Sequence, residues 1–270
     1  MADKDIIKGV FADLGLDQIG LLPFDAVAPH LLDVRIKSRL PERAAGLILV
    51  LFPYRLPQYQ DRNIARFAVV PDYHAVCGEL LQTAADRLAE RFSGHAFVPF
   101  IDHSPIPEVW AAAAAGLGLV GRHGLLINER YGSWVVIGEL VTTLPLEASA
   151  GVVRRCDDCG ACTAACPAKV LGSGGGKRNG CVSRLTQKKG ELTVEEQALI
   201  RRADSAWGCD RCQEVCPLNA DTLARPLADF AAGAIDTLCE DTPLDGRVYA
   251  WRGPEVLRRN LRLCNLRLRD

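Results

Sequence analysis

Cys156-Asp-Asp-Cys159-Gly-Ala-Cys162-Thr-Ala-Ala-Cys166-Pro167 is the stretch on which the reading of this chain turns. Gaps of two, two and three residues closed by a proline are those of the bacterial iron–sulfur run. In that run three thiolates hold one 4Fe–4S cluster and the fourth ligates its neighbour. A two-residue gap lets adjacent thiolates reach neighbouring corners of one cubane, and the proline sends the chain away. A second set, Cys209-Asp-Arg-Cys212-Gln-Glu-Val-Cys216-Pro217, follows with Cys181 upstream. Exchange of ligands between the two sets then gives one cluster to Cys156, Cys159, Cys162 and Cys216. The other cluster takes Cys166, Cys181, Cys209 and Cys212. A pair of zinc sites would explain the two-residue pairs, but not the run of four closed by proline.

The remaining cysteines sharpen this. There are eleven in all, and only Cys77 precedes residue 150. A secreted disulfide protein spreads an even number through a short chain, whereas dense cysteines in a reducing compartment mean metal. Cys77, Cys239 and Cys264 lie on apolar faces with no partner at ligand spacing, and are expected to be buried core thiols. With 270 residues, 49% hydrophobic and 24% charged, the composition is that of a soluble globular protein. No apolar run approaches the about 20 residues of a membrane span, and the N-terminus lacks a basic leader. A cytoplasmic protein with no membrane contact is expected. Formal net charge is −1, divided as −4 over residues 1–150 and +3 over 151–270. A cluster with four thiolates carries about −2, so this asymmetry is a weak hint of a polyanionic partner.

Periodicity predicts a helix over 3–15, strands over 18–24 and 46–54, and a long amphipathic helix over 72–92 with Val76, Leu80, Leu81, Ala84 and Leu88 on one face. A strand at 96–101, a helix at 105–115 and apolar segments at 124–127 and 133–142 follow. Alternating strands and helices make residues 1–150 an α/β or α+β domain. Residues 151–225 form a ferredoxin-like double-cluster domain, and 226–270 a helical tail that packs back on the core. Gly172-Ser-Gly-Gly-Gly-Lys-Arg-Asn-Gly180 reads as a loop, since Lys177 is followed by Arg178 where a phosphate loop needs Ser or Thr.

Gly116-Leu-Gly118-Leu-Val-Gly121 fits a dinucleotide fingerprint, but that motif must follow a strand and open a helix. Here it follows an alanine-rich helix, which points to helix termination and close backbone packing. Asp102 ends a strand just before Ser104-Pro105, which offer an N-cap and a first helical residue, so Asp102 is not needed for capping. A turn or surface aspartate is the ordinary reading. A proton donor with a carboxyl raised by desolvation is the sharper one.

Beyond the cysteines, the chain resembles the epoxyqueuosine reductase family. The resemblance is carried by Arg66-Phe-Ala-Val-Val-Pro-Asp72-Tyr73-His74, Asp102-His-Ser-Pro105, Ala115-Gly-Leu-Gly-Leu-Val-Gly121 and Tyr131-Gly-Ser-Trp-Val-Val-Ile-Gly-Glu139. Cys181-Val-Ser-Arg-Leu-Thr186, Trp207-Gly-Cys209, Trp251-Arg-Gly253 and Arg259-Asn260 extend it. It implies an α+β fold: a nitroreductase-like, cobalamin-binding α/β core with a ferredoxin-like double 4Fe–4S domain. It implies electrons passing through two clusters to cobalamin, and reduction of epoxyqueuosine to queuosine in a tRNA anticodon stem-loop. Asp102 takes the family's proton-donor position, and an external flavodoxin or ferredoxin would supply electrons to what is expected to be a monomer. The sequence departs from the family at Gly121-Arg122-His123, where Gly-Lys-Asn is usual, and at His103-Ser104, where Thr-Gly or Ser-Gly is. The helical-repeat extension of longer members is not expected. A paralogous cobalamin- or flavin-dependent reductase of a small molecule, or an electron-transfer protein of ferredoxin type, are the alternatives. Six arginines between Trp251 and Asp270 are read as a candidate phosphate-binding face of the tail helix.

Overall fold

Gly46–Pro53, an unbroken apolar run, is a strand buried along its whole length, and one unit of the molecule is organised around it. The computed structural model describes residues 3–149, 152–172 and 180–264. The chain divides into two compact units. The first comprises the residues up to Pro53 together with His74–Cys156; the second comprises Tyr54–Tyr73 and the residues from Asp157 onward. This differs from the boundaries drawn on composition, which placed Tyr54–Tyr73 before the cysteine region and gave the tail a region of its own. The reason is packing. Ile64, Ala68 and Val69 lie in one apolar cluster with Val182, Trp207, Tyr249, Leu257 and Leu261, and no local composition change announces that.

In the first unit, β1 (Ile19–Pro23), β2 (Gly46–Pro53), β3 (Phe97–Ile101) and β6 (Val135–Thr142) form a sheet in the order β1-β2-β6-β3. Every neighbouring pair is antiparallel, so this unit is α+β. Between β2 and β3 the chain forms α3 (Tyr73–Arg91), which buries Cys77, Leu81, Ala84, Ala85 and Leu88 at helical spacing; Val76 and Leu80 are only partly covered. Gly138 admits this helix, since a Cβ there would lie 2.6 Å from Phe52 and 2.9 Å from Leu81. The alanines of α4 (Glu108–Ala114) are buried with Leu47, Leu49, Leu51 and Val141.

Helix α4 starts later than the sequence suggested, with Pro107 at its N-cap. Ser104 does not cap it; its hydroxyl accepts the Ile106 N–H at 3.0 Å and donates to the Glu139 carboxylate. The glycine-rich run ends this helix as expected. Gly116 adopts φ 81°, and the Gly116 and Leu117 N–H groups bond back to Ala113 and Ala112. The chain then forms the short antiparallel pair β4 (Leu119–Val120) and β5 (Leu126–Ile127).

The second unit is built from short helices: α2 (Arg66–Val69), α5 (Ala161–Ala165), α6 (Val182–Leu185), α7 (Val194–Ala203), α8 (Arg211–Glu214), α9 (Ala228–Ala232) and α10 (Pro254–Cys264). Helices of four or five residues cannot stand alone. Their support is the shared apolar cluster, in which Trp207 meets Tyr249 edge to face at 6.1 Å. Helix α7 carries a reciprocal cap between Thr193 and Glu196, and α10 buries Val256, Leu257, Leu261, Leu263 and Cys264 in the same core. Among the described residues, no helix is long and apolar enough to cross a membrane. Residues 173–179 of the glycine-rich loop lie outside the described residues, as do Arg267 and Arg269.

Candidate redox centre and acid site

Cys77 and Cys264 are buried, as expected, but Cys239 is exposed. Its thiol lies 3.3 Å from the Thr242 hydroxyl, and hydrogen bonding from Thr242 lowers its pKa. Its neighbours Ile235 and Leu238 pack inward and leave Cys239 at the surface.

The eight motif cysteines are all free thiols. In the second unit, Cys162, Cys166 and Leu171 form a buried apolar patch with Cys212 against it. Burial pushes the Cys212 thiol up to about 12, reinforced by the charges of Cys209, Cys181, Asp210 and Cys162. Cys209 is pushed up to about 11, by burial and then by Asp210 and Cys181. Sulfurs from three separate segments therefore converge where a thiolate is costly without a cation. Iron removes that cost by taking the protons' place, so the donor set fits iron–sulfur clusters. Cys156, the last residue of the first unit, accepts the Arg122 N–H at 3.2 Å.

A buried polar scaffold holds the cysteine segments of the second unit. Asn260 is fully buried, and its amide donates to the Thr186 carbonyl at 2.7 Å and the Ala206 carbonyl at 2.8 Å. The Thr186 hydroxyl accepts the Gly208 N–H at 3.0 Å. This ties the segment following Cys181 to the segment preceding Cys209. Gly208 has φ 75°, and a Cβ there would strike Ala65 at 2.5 Å. On the other side of Cys209, buried Asp210 accepts the Arg66 N–H at 2.7 Å and pairs with Arg62 and Arg66, which also grip Glu214. The tail arginines are engaged internally as well. Arg259 donates to the carbonyls of Lys188 and Gly190, Arg258 pairs with Glu255, and Arg262 with Glu240.

In the first unit Asp102 follows the last residue of β3 with φ 54°, a conformation that aspartate tolerates better than most residues. Its side chain is 57% exposed, and its Oδ2 lies 3.2 Å from Nε2 of His74 at the start of α3. Raised, desolvated carboxyls are found on two neighbours. Glu139, at the middle of β6 opposite Leu49 and Phe100, is fully buried. Burial, opposed by the Ser104 hydroxyl and aided by the charge of Glu108, pushes its carboxyl well above the usual carboxylate range. Glu108, the first residue of α4, is pushed up to about 8 by burial and by the charge of Asp102.

Residues 155–219 match the model of the 4Fe-4S double cluster binding domain, a span that contains all eight cysteines. An epoxyqueuosine reductase of Aliivibrio fischeri is 34% identical over 66% of this chain and 48% of its own length. One from Lactococcus garvieae is 33% identical over 80% of this chain and 69% of its own. The chain belongs to the epoxyqueuosine reductase family. It spans about half the length of the Aliivibrio relative. The structure of epoxyqueuosine reductase from Streptococcus thermophilus superposes with a TM-score of 0.84 at 26% identity, covering 100% of this chain and 82% of that one. An epoxyqueuosine reductase solved with an epoxyqueuosine-modified tRNA stem loop gives a TM-score of 0.80 at 23% identity, covering 99% and 82%.

With the family established, the cofactors of the 155–219 segment are two 4Fe–4S clusters. Several of the motifs that carried the resemblance prove to be structural. Asn260, Thr186 and Trp207 hold the cysteine segments, and Tyr131 is buried with its hydroxyl donating to Asp17 at 3.0 Å. At the departure Gly121-Arg122-His123, the buried His123 accepts the Leu125 N–H at 3.2 Å. The residues to which sequence reasoning gave no role of their own are Glu139, Glu108 and His74. Glu139 had a signal, being the one carboxylate in the apolar strand 133–142.

Proposed function

We propose that this chain reduces epoxyqueuosine in tRNA to queuosine. The observation that carries the reading is Asp102: the residue at the family's proton-donor position stands at a strand end, open to solvent, with its carboxyl oriented by His74. Removing the epoxide oxygen breaks two carbon–oxygen bonds, takes two electrons and two protons, and leaves a double bond and water. Expulsion of an alkoxide is slow unless it is protonated as it leaves, and a placed acid contributes about 10²–10⁴-fold. Asp102 protonates the opening oxygen, and His74 holds its orientation.

Electrons enter from an external one-electron carrier of the flavodoxin or ferredoxin kind and pass through the two clusters, held by the ligand sets read from the spacing. The resemblance further implies cobalamin in a nitroreductase-like core, supplying a strongly reducing cobalt centre when bound. The substrate surface is a tRNA anticodon stem-loop, as the likeness to the structure solved with such a stem loop supports. The test is direct. Anaerobically purified protein, with clusters, cobalamin and a low-potential reductant, should convert epoxyqueuosine to queuosine in tRNA, read by nucleoside mass spectrometry. Full cofactor loading with no conversion would sink the reading.

A further inference from the structure

The carboxyl of Asp102 is carried by a constrained piece of backbone. Asp102 is the central residue of a three-residue turn with φ 54°, closed by the His103 N–H donating to the Ile101 carbonyl at 2.5 Å. Positive φ is uncommon outside glycine, and such a conformation persists where the surrounding structure holds it. Asp102 and His103 are exposed, whereas the three residues that follow are buried.

Both ends of the turn are fastened to the same strand, at neighbouring residues. On one side Ile101, the last residue of β3, pairs with Gly138 of β6. On the other, the Ser104 hydroxyl accepts the Ile106 N–H at 3.0 Å and donates to Oε2 of Glu139. The Pro105 carbonyl accepts the Leu32 N–H at 2.8 Å. Glu139 is fully buried, and strand pairing fixes its backbone opposite Leu49 and Phe100. Its Oε1 has no hydrogen-bond partner among the described residues. A neutral carboxyl tolerates such a place far better than a carboxylate, in line with the direction in which burial moves this group. What Glu139 supplies to Ser104 is therefore an acceptor oxygen held rigidly in the middle of the sheet. The glycine usual in the family at position 104 has no hydroxyl, so the fastening is particular to this chain.

We propose that Glu139 is a positioning residue for the acid: through Ser104 it anchors the turn that carries Asp102, and so fixes where the proton is offered. Glu139 transfers no proton and carries no charge in this role. Its contribution is the placement of Asp102, and an uncharged acceptor of the same shape would serve as well.

The assignment rests on the epoxide-reduction reading, so its test has one arm independent of turnover. Hydrogen exchange across residues 102–107 of the cluster-loaded protein, followed by mass spectrometry, should quicken in Ser104→Ala and in Glu139→Leu. Each leaves a buried polar group without its partner, which should speed exchange about tenfold. Glu139→Gln keeps a carbonyl oxygen for the Ser104 hydroxyl and should exchange as wild type does. In the activity arm, kcat should fall at least about tenfold in Ser104→Ala and Glu139→Leu, since a misplacement of about 1 Å can cost about 10²-fold. KM and iron content should not change, and Glu139→Gln should restore wild-type kcat. Wild-type exchange or wild-type kcat in Ser104→Ala would overturn the proposal, even where Glu139→Leu fails to fold. A Glu139→Gln enzyme as slow as Ser104→Ala would overturn it too, because the carboxyl would then act by charge or proton transfer. If wild type converts no epoxyqueuosine, the substrate reading falls, and the exchange arm alone decides whether Glu139 anchors the turn.

Discussion

Both units bury ionisable groups, and burial acts on them in the same direction: the thiols of Cys209 and Cys212 in one, the carboxyls of Glu108 and Glu139 in the other. The surroundings then separate their fates. Around the thiols, sulfurs from three segments face one another within a rigid scaffold of hydrogen bonds, so iron can displace their protons. Around Glu139 the donor among the described residues is the neutral Ser104 hydroxyl, so the proton itself is the stable occupant. One unit thus gives up protons to metal, and the other keeps them.

The largest effect is expected from breaking the metal side of this contrast. Cys212→Ser should remove one cluster, halving iron from about eight per chain, and abolish reduction; iron analysis on anaerobic protein decides it. Retention of all the iron would mean that Cys212 is not a ligand. Next comes Asp102→Asn, nearly isosteric but without a transferable proton. Turnover should drop at least about 100-fold with iron content intact, and more than a tenth of wild-type activity would refute the acid role.

Asn260→Ala probes the scaffold that makes the thiol site rigid. It leaves the buried carbonyls of Thr186 and Ala206 without their donor, which should cost about 2–4 kcal/mol and lower cluster occupancy. Denaturant unfolding of the cluster-loaded protein measures it. A change below about 0.5 kcal/mol would show that the segments around Cys181 and Cys209 are held by other contacts.

The smallest effect is on stability as a function of pH, and it sharpens the carboxyl side. A folded pKa of about 8 for Glu108, above the unfolded value of about 4.3, means that the folded state binds the extra proton. The corresponding stability is fully present below about pH 4.3, and is lost as pH rises toward and through 8. Melting temperature should therefore decline from pH 5 to 9 by more in wild type than in Glu108→Gln. Equal declines would place the slope elsewhere.

Much of the second unit's chemistry was legible because cluster ligation fixes residue type and spacing together: Cys156 to Pro167 and Cys209 to Pro217 can hardly be read otherwise. The strands of the first unit were legible for a similar reason, since Gly46–Pro53 and Val135–Thr142 are apolar over their length. Three things escaped. Membership of Tyr54–Tyr73 in the cysteine unit depends on long-range contacts of Ile64, Ala68 and Val69, and the sequence of that segment is unremarkable in composition. Cys239 sits beside apolar residues, but a turn places its thiol outside. The contact of Ser104 with Glu139 joins residues far apart in sequence and exists only once β3 and β6 pair.

Expression of this chain in a queuosine-deficient host supplied with cobalamin tests the central claim most directly, with tRNA nucleosides analysed by mass. Wild type should replace epoxyqueuosine by queuosine, while Asp102→Asn, made to the same level, should leave epoxyqueuosine in place. Persistent epoxyqueuosine with the wild-type chain, soluble and carrying both clusters, would contradict it.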